Sequence, residues 1–182
     1  DATDGTDPVL AAAGVLPELT PLRVRTVGDR PVIVDRSGRE VLLRGATHTG
    51  LVAMPQVDPE RPPTRPPTED DWDEMAAGGF GVVRLAVSWS ALEPLPGVLD
   101  EAYVERIRAA VGSAASRRMH TVIALHQEAW GPAVGSPAGT TCPAGQQPAL
   151  PGSGAPGWAT PIEDATTCHP SGDPSASLAV RA

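Results

Sequence analysis

Polar and aromatic side chains follow two predicted strands at the points where each strand ends. Thr121–Leu125 is β-branched or apolar and too short for a helix, which predicts a buried strand. A second apolar run, Gly81–Val87, ends in Ser-Trp-Ser. Chemistry in α/β proteins is built at the carboxyl ends of parallel strands. The residues that could carry it here are Trp89 after the second run and His126, Glu128 and Trp130 after the first.

Arg84 lies in the middle of the apolar run Gly81–Val87. A guanidinium inside a buried strand needs a carboxylate or a substrate as its partner, because an unpaired buried charge carries a heavy desolvation cost. Two other interpretations stay open: a structural ion pair, and a strand face that meets solvent. The sequence offers no obvious partner for this arginine.

Indole rings beside an imidazole and a carboxylate are typical of sugar-binding sites. The apolar C–H face of a sugar ring stacks on an aromatic ring, while its hydroxyls bind polar groups. Trp89 and Trp130, together with His126 and Glu128, offer both kinds of group. For each indole alone, core packing is the commoner explanation, and it is the presence of two at two strand ends that favours a sugar site.

The elements that must position these residues alternate between strand and helix. Pro31–Val34 and Arg39–Leu43 flank a turn and predict a hairpin, and 22–27 suggests an edge strand. Two helices follow, one capped by Thr68 and one by Asp100. The helices separate buried strands, so the fold class is α/β with a parallel sheet and crossover helices. The helical core stripe is Tyr103, Ile107, Val111 and Ala114.

Composition excludes some function classes. The net charge of −8 and the pI near 4.9 argue against nucleic acid and anionic membrane surfaces as partners. No apolar run reaches the roughly 18 residues that a transmembrane segment needs. Cys142 and Cys168 favour a disulfide over a zinc site, since His169 is the one further ligand nearby. A disulfide would place the protein in an oxidising compartment.

In order along the chain, these motifs resemble glycoside hydrolase family 5, in its endoglycosylceramidase-like branch. The resemblance covers about Pro31 to Trp130 and rests on Arg44-Gly45, on FGVVRLAVSWSALEPLPG, on the tyrosine helix and on VIALHQEAW. It extends more loosely to the cysteine-containing segment with GAPGWAT. The family implies a (β/α)8 barrel that is secreted, uses no cofactor and hydrolyses β-glycosidic bonds of a carbohydrate or glycolipid with retention.

By motif, Arg84 corresponds to the arginine that keeps the nucleophilic carboxylate ionised, and His126 to a histidine at the cleavage subsite. Trp89 and Trp130 would support the substrate. Two positions depart from the pattern of the branch. Glu128 stands where the branch has Asp. Its side chain is one methylene longer, which weakens the expectation that it binds sugar hydroxyls as the Asp does. His48 lies in a loop where glycolipid-cleaving members carry Lys, which weakens the glycolipid assignment within the family.

The two catalytic carboxylates of the family follow its fourth and seventh strands, and the first is preceded by Asn. The chain holds only about three barrel strands and contains no Asn. We therefore expect the nucleophile and the acid/base Glu to lie beyond Ala182, so that the chain is a fragment without the C-terminal half of its barrel and is inactive alone.

The expected organisation is an extension over residues 1–30 and a partial barrel over 31–182, with a long loop at 131–174. Two alternatives to a glycolipid hydrolase stay open. One is a β-glucanase of the same family, and the other is a non-catalytic carbohydrate-binding remnant.

Overall fold

An antiparallel hairpin opens the described part of the chain. The structure, a computed structural model, describes residues 19–52, 64–127, 130–160 and 167–170. Strand β1 (Arg23–Val27) pairs with β2 (Arg30–Val34) across a turn in which Gly28 adopts a φ of 66°. The hairpin is therefore present, but its strands differ from the predicted pair. The run Arg39–Leu43 contributes only an isolated bridge between Val34 and Glu40.

Asp35 explains why the second run does not continue as a strand. Its carboxylate accepts hydrogen bonds from the Ser37 hydroxyl at 2.7 Å and from the backbone N–H and Nε of Arg39 at 3.0 and 2.8 Å. The Ser37 hydroxyl, followed by the Arg39 groups, holds the pKa of this carboxyl well below its ordinary value. The chain thus folds tightly around one side chain and then departs, leaving Leu42 exposed.

A three-stranded parallel sheet follows, as predicted. Its strands are β3 (Gly45–His48), β4 (Val82–Ser88) and β5 (His120–His126), in the order β3-β4-β5. The crossover helices are α1 (Glu69–Ala77) and α3 (Glu101–Ser116), and a short helix, α2 (Trp89–Leu92), follows β4. A small antiparallel pair, β6 (Gln147–Pro148) with β7 (Cys168–His169), lies near the disulfide.

The predicted helix caps are present. The Thr68 hydroxyl accepts a hydrogen bond from the Asp71 N–H at 3.3 Å, and the Asp71 carboxylate accepts one from the Thr68 N–H at 2.8 Å, which is a capping box. Asp100 caps α3 through the Tyr103 N–H at 2.8 Å. The helix α2 was not predicted. In the described ranges no helix qualifies as a membrane span.

The main core lies between the sheet and its two crossover helices. Side chains alternate along β4, so Val83, Leu85 and Val87 pack toward Trp72 of α1 and Tyr103 of α3. Arg84 and Ser88 point to the opposite face of the sheet. The sequence therefore placed the two core helices and the central strand correctly.

The prediction that 121–125 is a buried strand is wrong in its burial. Val122, Ile123 and Leu125 in β5 are 51%, 55% and 60% exposed. In the described part of the chain, β5 pairs with β4 alone and forms one edge of the sheet. An apolar edge strand exposed on both faces is a template for pairing with more polypeptide.

Candidate active site

Arg84, Ser88 and His126 lie on one face of the parallel sheet. Ser88 and His126 are partners in the β4–β5 register, and Arg84 is aligned with Thr47 of β3 and Val122 of β5. Because partners in a parallel sheet share a face and side chains alternate along each strand, all three point away from the helices. The structure thus brings two of the predicted site residues, Arg84 and His126, to the same face.

The Arg84 side chain is exposed and has no ion-pair partner within the described ranges. The desolvation cost expected for a buried arginine is therefore absent. Of the interpretations left open by the sequence, the structure has the one in which the arginine face meets solvent. A guanidinium presented in this way is free to bind a carboxylate that approaches the open face of the sheet.

Ser88 and His126 mark the carboxyl ends of β4 and β5. The Ser88 hydroxyl donates to the Ser153 carbonyl at 2.7 Å, and the Ser88 N–H donates to the Tyr103 hydroxyl at 2.8 Å. The Nδ1 atom of His126 is buried and has no hydrogen-bond partner in the described part of the chain. Since buried polar atoms are normally paired, a partner for this nitrogen is expected among groups outside the described ranges.

A disulfide-closed loop covers these strand ends. Cys142 and Cys168 are bonded at 2.07 Å with their Cα atoms 5.7 Å apart. Gly154 lies between the two cysteines in the sequence, and its carbonyl accepts a hydrogen bond from the Ser90 N–H at 2.9 Å. A Cβ at Gly154 would lie 2.0 Å from the Trp130 carbonyl oxygen, so only glycine permits this approach. The predicted disulfide therefore encloses a segment that packs directly on the candidate site.

The two predicted indoles occupy different settings in this region. Trp130 is 39% exposed and has a φ of 68°, a left-handed conformation that is strained for a bulky side chain. Its carbonyl accepts from the Ala155 N–H at 2.8 Å, which ties it to the loop. Trp89 lies in α2 and contacts Trp158 edge to face, with ring centroids 5.5 Å apart.

Trp158 was not among the predicted site residues. Its Nε1 donates to the Glu93 carbonyl at 3.0 Å, and its side chain is 42% exposed. The GAPGWAT segment was the one available signal, and it pointed to the loop and not to its tryptophan. Contacts between residues 65 positions apart leave no local trace in the sequence.

Glu93 holds Trp89 through its carboxylate, which accepts from the indole Nε1 at 2.9 Å and from the Gly97 N–H at 2.7 Å. The Trp89 bond, followed by the Gly97 bond, lowers the pKa of Glu93. A general acid in glycoside hydrolysis needs a raised pKa. Glu93 therefore has the properties of an anchor and not of that acid.

The structure places His48 apart from the Arg84 face. It is aligned with Leu85 in the register and stacks on Trp72 with ring centroids 5.4 Å apart, on the helix side of the sheet. Its Nδ1 accepts from the Gly50 N–H at 3.0 Å, and burial lowers its pKa. The adjoining groove, of about 390 Å³, is lined by His48, Asp71, Glu74, Met75, Gly78 and Phe80. These contacts are those of a packing residue, and a substrate role for His48 stays a prediction.

Four of the predictions made from the sequence fall wholly or partly on residues outside the described ranges. Glu128 is one of these residues, so its place in the site stays a prediction. Ala182 is another, and the expectation that the nucleophile and the acid/base Glu lie beyond Ala182 likewise stays a prediction. The extension over residues 1–30 and the loop at 131–174 each include such residues as well. The residues that the structure does describe therefore present the support of a site and not its catalytic pair.

The site consists of an exposed arginine, a histidine whose buried Nδ1 has no partner among the described residues, and aromatic rings around the ends of two parallel strands. Within the described ranges, His, Cys, Asp and Glu side chains form no group of three suited to a metal ion. Such a combination suits binding of a polar, ring-shaped ligand.

Comparison with known proteins gives a consistent result. Residues 34–147 match the family model of cellulase, glycosyl hydrolase family 5. A crystal structure of an endogalactoceramidase is 44% identical, with a TM-score of 0.72 over 87% of this chain and 35% of that one. The lactosyl-enzyme intermediate of endo-glycoceramidase II from Rhodococcus sp. is 31% identical, with a TM-score of 0.55 over 72% of this chain and 27% of that one.

Among curated proteins, endoglycoceramidase I of Rhodococcus hoagii (strain 103S) is 37% identical over 103 residues, which is 54% of this chain and 20% of that protein. The chain thus spans only a fifth to about a third of the length of the relatives it matches. The likeness in structure confirms the α/β class and the first part of a (β/α)8 barrel after a hairpin. The chain belongs to glycosyl hydrolase family 5, and its similarity to the endogalactoceramidase and the endoglycoceramidases is consistent with the endoglycosylceramidase-like branch.

Proposed function

We propose that this chain is the N-terminal part of a secreted, retaining β-glycosidase that hydrolyses glycolipids. In this proposal it supplies the first three strands of the barrel, and the two catalytic carboxylates come from polypeptide beyond it. The observation that carries the proposal is the common placement of Arg84 and His126 on the open face at the strand ends. In the described part of the chain, the Arg84 guanidinium has no ion-pair partner and the His126 Nδ1 has no hydrogen-bond partner.

Arg84 would act on the nucleophilic carboxylate. An opposite charge within about 4–6 Å favours the ionised form of a carboxyl group and lowers its pKa. A retaining glycosidase needs a lowered pKa at its nucleophilic carboxylate, whereas the acid/base carboxyl keeps a raised pKa and donates a proton to the leaving group. His126, which is partly exposed, would bind the substrate or the nucleophile.

Three observations support the larger enzyme. The chain covers 35% of the endogalactoceramidase and 27% of endo-glycoceramidase II. Three parallel strands cannot close a barrel, and β5 exposes apolar side chains along its edge. The names of these relatives point to glycolipid substrates, and the disulfide favours an oxidising, extracellular setting.

The test uses the full-length gene product with glucosylceramide and galactosylceramide as substrates and cellooligosaccharides as the comparison. We expect hydrolysis of at least one glycolipid, with the β-anomer as the first product by NMR. Arg84→Ala should lower kcat/KM by a factor on the order of 10², as for loss of one group that stabilises transition-state charge. Arg25→Ala, at an exposed arginine of the hairpin, is the matched control and should leave kcat/KM unchanged.

Hydrolysis of cellooligosaccharides alone would favour the β-glucanase alternative. A full-length product that hydrolyses neither class would contradict the proposal, as would an α-anomer as the first product. Equal effects of the Arg84 and Arg25 substitutions would contradict the role given to Arg84.

A further inference from the structure

We propose that Glu93 is a positioning residue that docks the disulfide-closed loop and fixes Trp89 and Trp158 as one aromatic surface. The inference rests on the proposed function in one respect: this surface is taken to contact the glycolipid beside the strand ends. Glu93 itself does not touch the reacting atoms. It acts through the two indoles, which belong to segments far apart in the sequence.

Glu93 accepts three hydrogen bonds. Its carboxylate accepts from the Trp89 Nε1 at 2.9 Å and from the Gly97 N–H at 2.7 Å, and its carbonyl accepts from the Trp158 Nε1 at 3.0 Å. One residue thereby joins α2, the turn before α3 and the loop closed by the disulfide. The two indoles are fixed by their N–H groups at an interplanar angle of 86°.

The chemistry of Glu93 suits this anchoring role. The hydrogen bond from Trp89 and then that from Gly97 stabilise its ionised form, and charge-assisted bonds of this kind are stronger than neutral ones. Part of this aromatic pair remains accessible, since Trp158 is 42% exposed and Trp89 is partly exposed. An oriented indole with a free face is the group that binds apolar surfaces of a ligand.

The Trp158 indole contacts groups outside its own loop. Its backbone lies in the 3-10 turn Gly157–Ala159. The indole is held by its hydrogen bond to the Glu93 carbonyl and by its T-shaped contact with Trp89. Removing the carboxylate would release Trp89 and the Gly97 turn, and through them the position of the Glu93 carbonyl that holds Trp158.

The test compares Glu93→Ala, Glu93→Gln and Glu105→Gln in the full-length protein. Glu105 is an exposed carboxylate on α3, so its variant is the matched control. The readouts are the near-UV circular dichroism of the indoles, and KM and kcat for the glycolipid. We expect Glu93→Ala to reduce the tryptophan bands and to raise KM roughly 5- to 10-fold with kcat within about twofold, as for lost uniform binding. Glu93→Gln should show the same changes to a smaller degree.

The near-UV spectrum does not depend on catalysis, so the inference can fail separately from the proposed function. Unchanged indole bands in Glu93→Ala would overturn the docking role whether or not the enzyme acts on glycolipids. Altered bands with an unchanged KM would overturn the substrate contact, and a fall in kcat at constant KM would make Glu93 part of the chemistry instead. If Glu93→Ala does not fold, Glu93→Gln, which keeps the volume of the side chain and removes its charge, decides by the same readouts.

Discussion

Replacing Tyr103 by Phe should destabilise the protein far more than the loss of one hydroxyl on an exposed helix. The Tyr103 side chain is 2% exposed and reaches from α3 to the carboxyl end of β4. Its hydroxyl donates to the Leu51 carbonyl at 2.7 Å and accepts from the Ser88 N–H at 2.8 Å. The substitution keeps the ring and removes both bonds.

The magnitude follows from the two groups that lose their partner. Each buried backbone group left unsatisfied costs about 1–3 kcal/mol, and water admitted to the site recovers part of that. We therefore expect the free energy of unfolding to fall by about 2–4 kcal/mol. The matched control is Ser113→Ala, which removes an exposed hydrogen bond from the Ser113 hydroxyl to Glu69 on the same helix pair. Its effect should stay within about 0.5 kcal/mol.

Urea unfolding followed by far-UV circular dichroism measures both variants under the same conditions. Equal m-values with a lower midpoint for Tyr103→Phe would indicate a change in stability alone. A loss below about 1 kcal/mol, or one equal to that of Ser113→Ala, would contradict this role of the Tyr103 hydroxyl, because the Ser88 and Leu51 backbone groups would then have found other partners.

Three further predictions concern the hairpin, the helix pair and the loop. The pKa of the Asp35 carboxyl is lower in the folded state than in the unfolded state. Its contribution to stability should therefore be complete above the unfolded pKa of about 4 and be lost as the pH falls below that value. Asp35→Asn should make the urea midpoint depend less on pH between about pH 6 and pH 3. The Arg117–Asp73 pair joins α3 to α1 with an exposed carboxylate, so a double-mutant cycle should give a small coupling that disappears in about 1 M salt; a large, salt-independent value would contradict surface screening. Replacing both Cys142 and Cys168 by Ser opens a loop with a sequence separation of 26 and should cost about 3–4 kcal/mol, whereas an unchanged melting temperature would show that the loop is ordered without the bridge.

Local signals in the sequence predicted most of the elements that position the site. Thr68 with Asp71, and Asp100, mark helix starts because capping depends on residues within three positions of each other. The apolar run containing Arg84 gave the central strand for the same reason. The partner of strand β2 was predicted wrongly because a turn lies on each side of this strand. The strands pair across the tighter turn, in which Gly28 has a left-handed conformation.

Long-range contacts could not be predicted in this way. Burial of β5 depends on what packs beside it, and its apolar composition is the same whether its edge is covered or open. The link from Ser88 to Ser153 and the contact of Trp89 with Trp158 join segments more than 60 residues apart. The register between β3 and β4 decides on which face of the sheet His48 lies. The sequence of so short a strand does not indicate that register.

In the function proposed for it, this chain forms the first part of a retaining glycosidase whose catalytic carboxylates lie elsewhere in the polypeptide. The most direct measurement treats the full-length protein with an activated 2-deoxy-2-fluoro-β-glycoside, which traps the covalent glycosyl-enzyme, and locates the label by peptide mass mapping. We predict one label, on a carboxylate outside residues 1–182, and a much slower rate of labelling in Arg84→Ala. A label on Glu93 or Glu128, or a protein that turns over glycosides without any trapped intermediate, would contradict the claim.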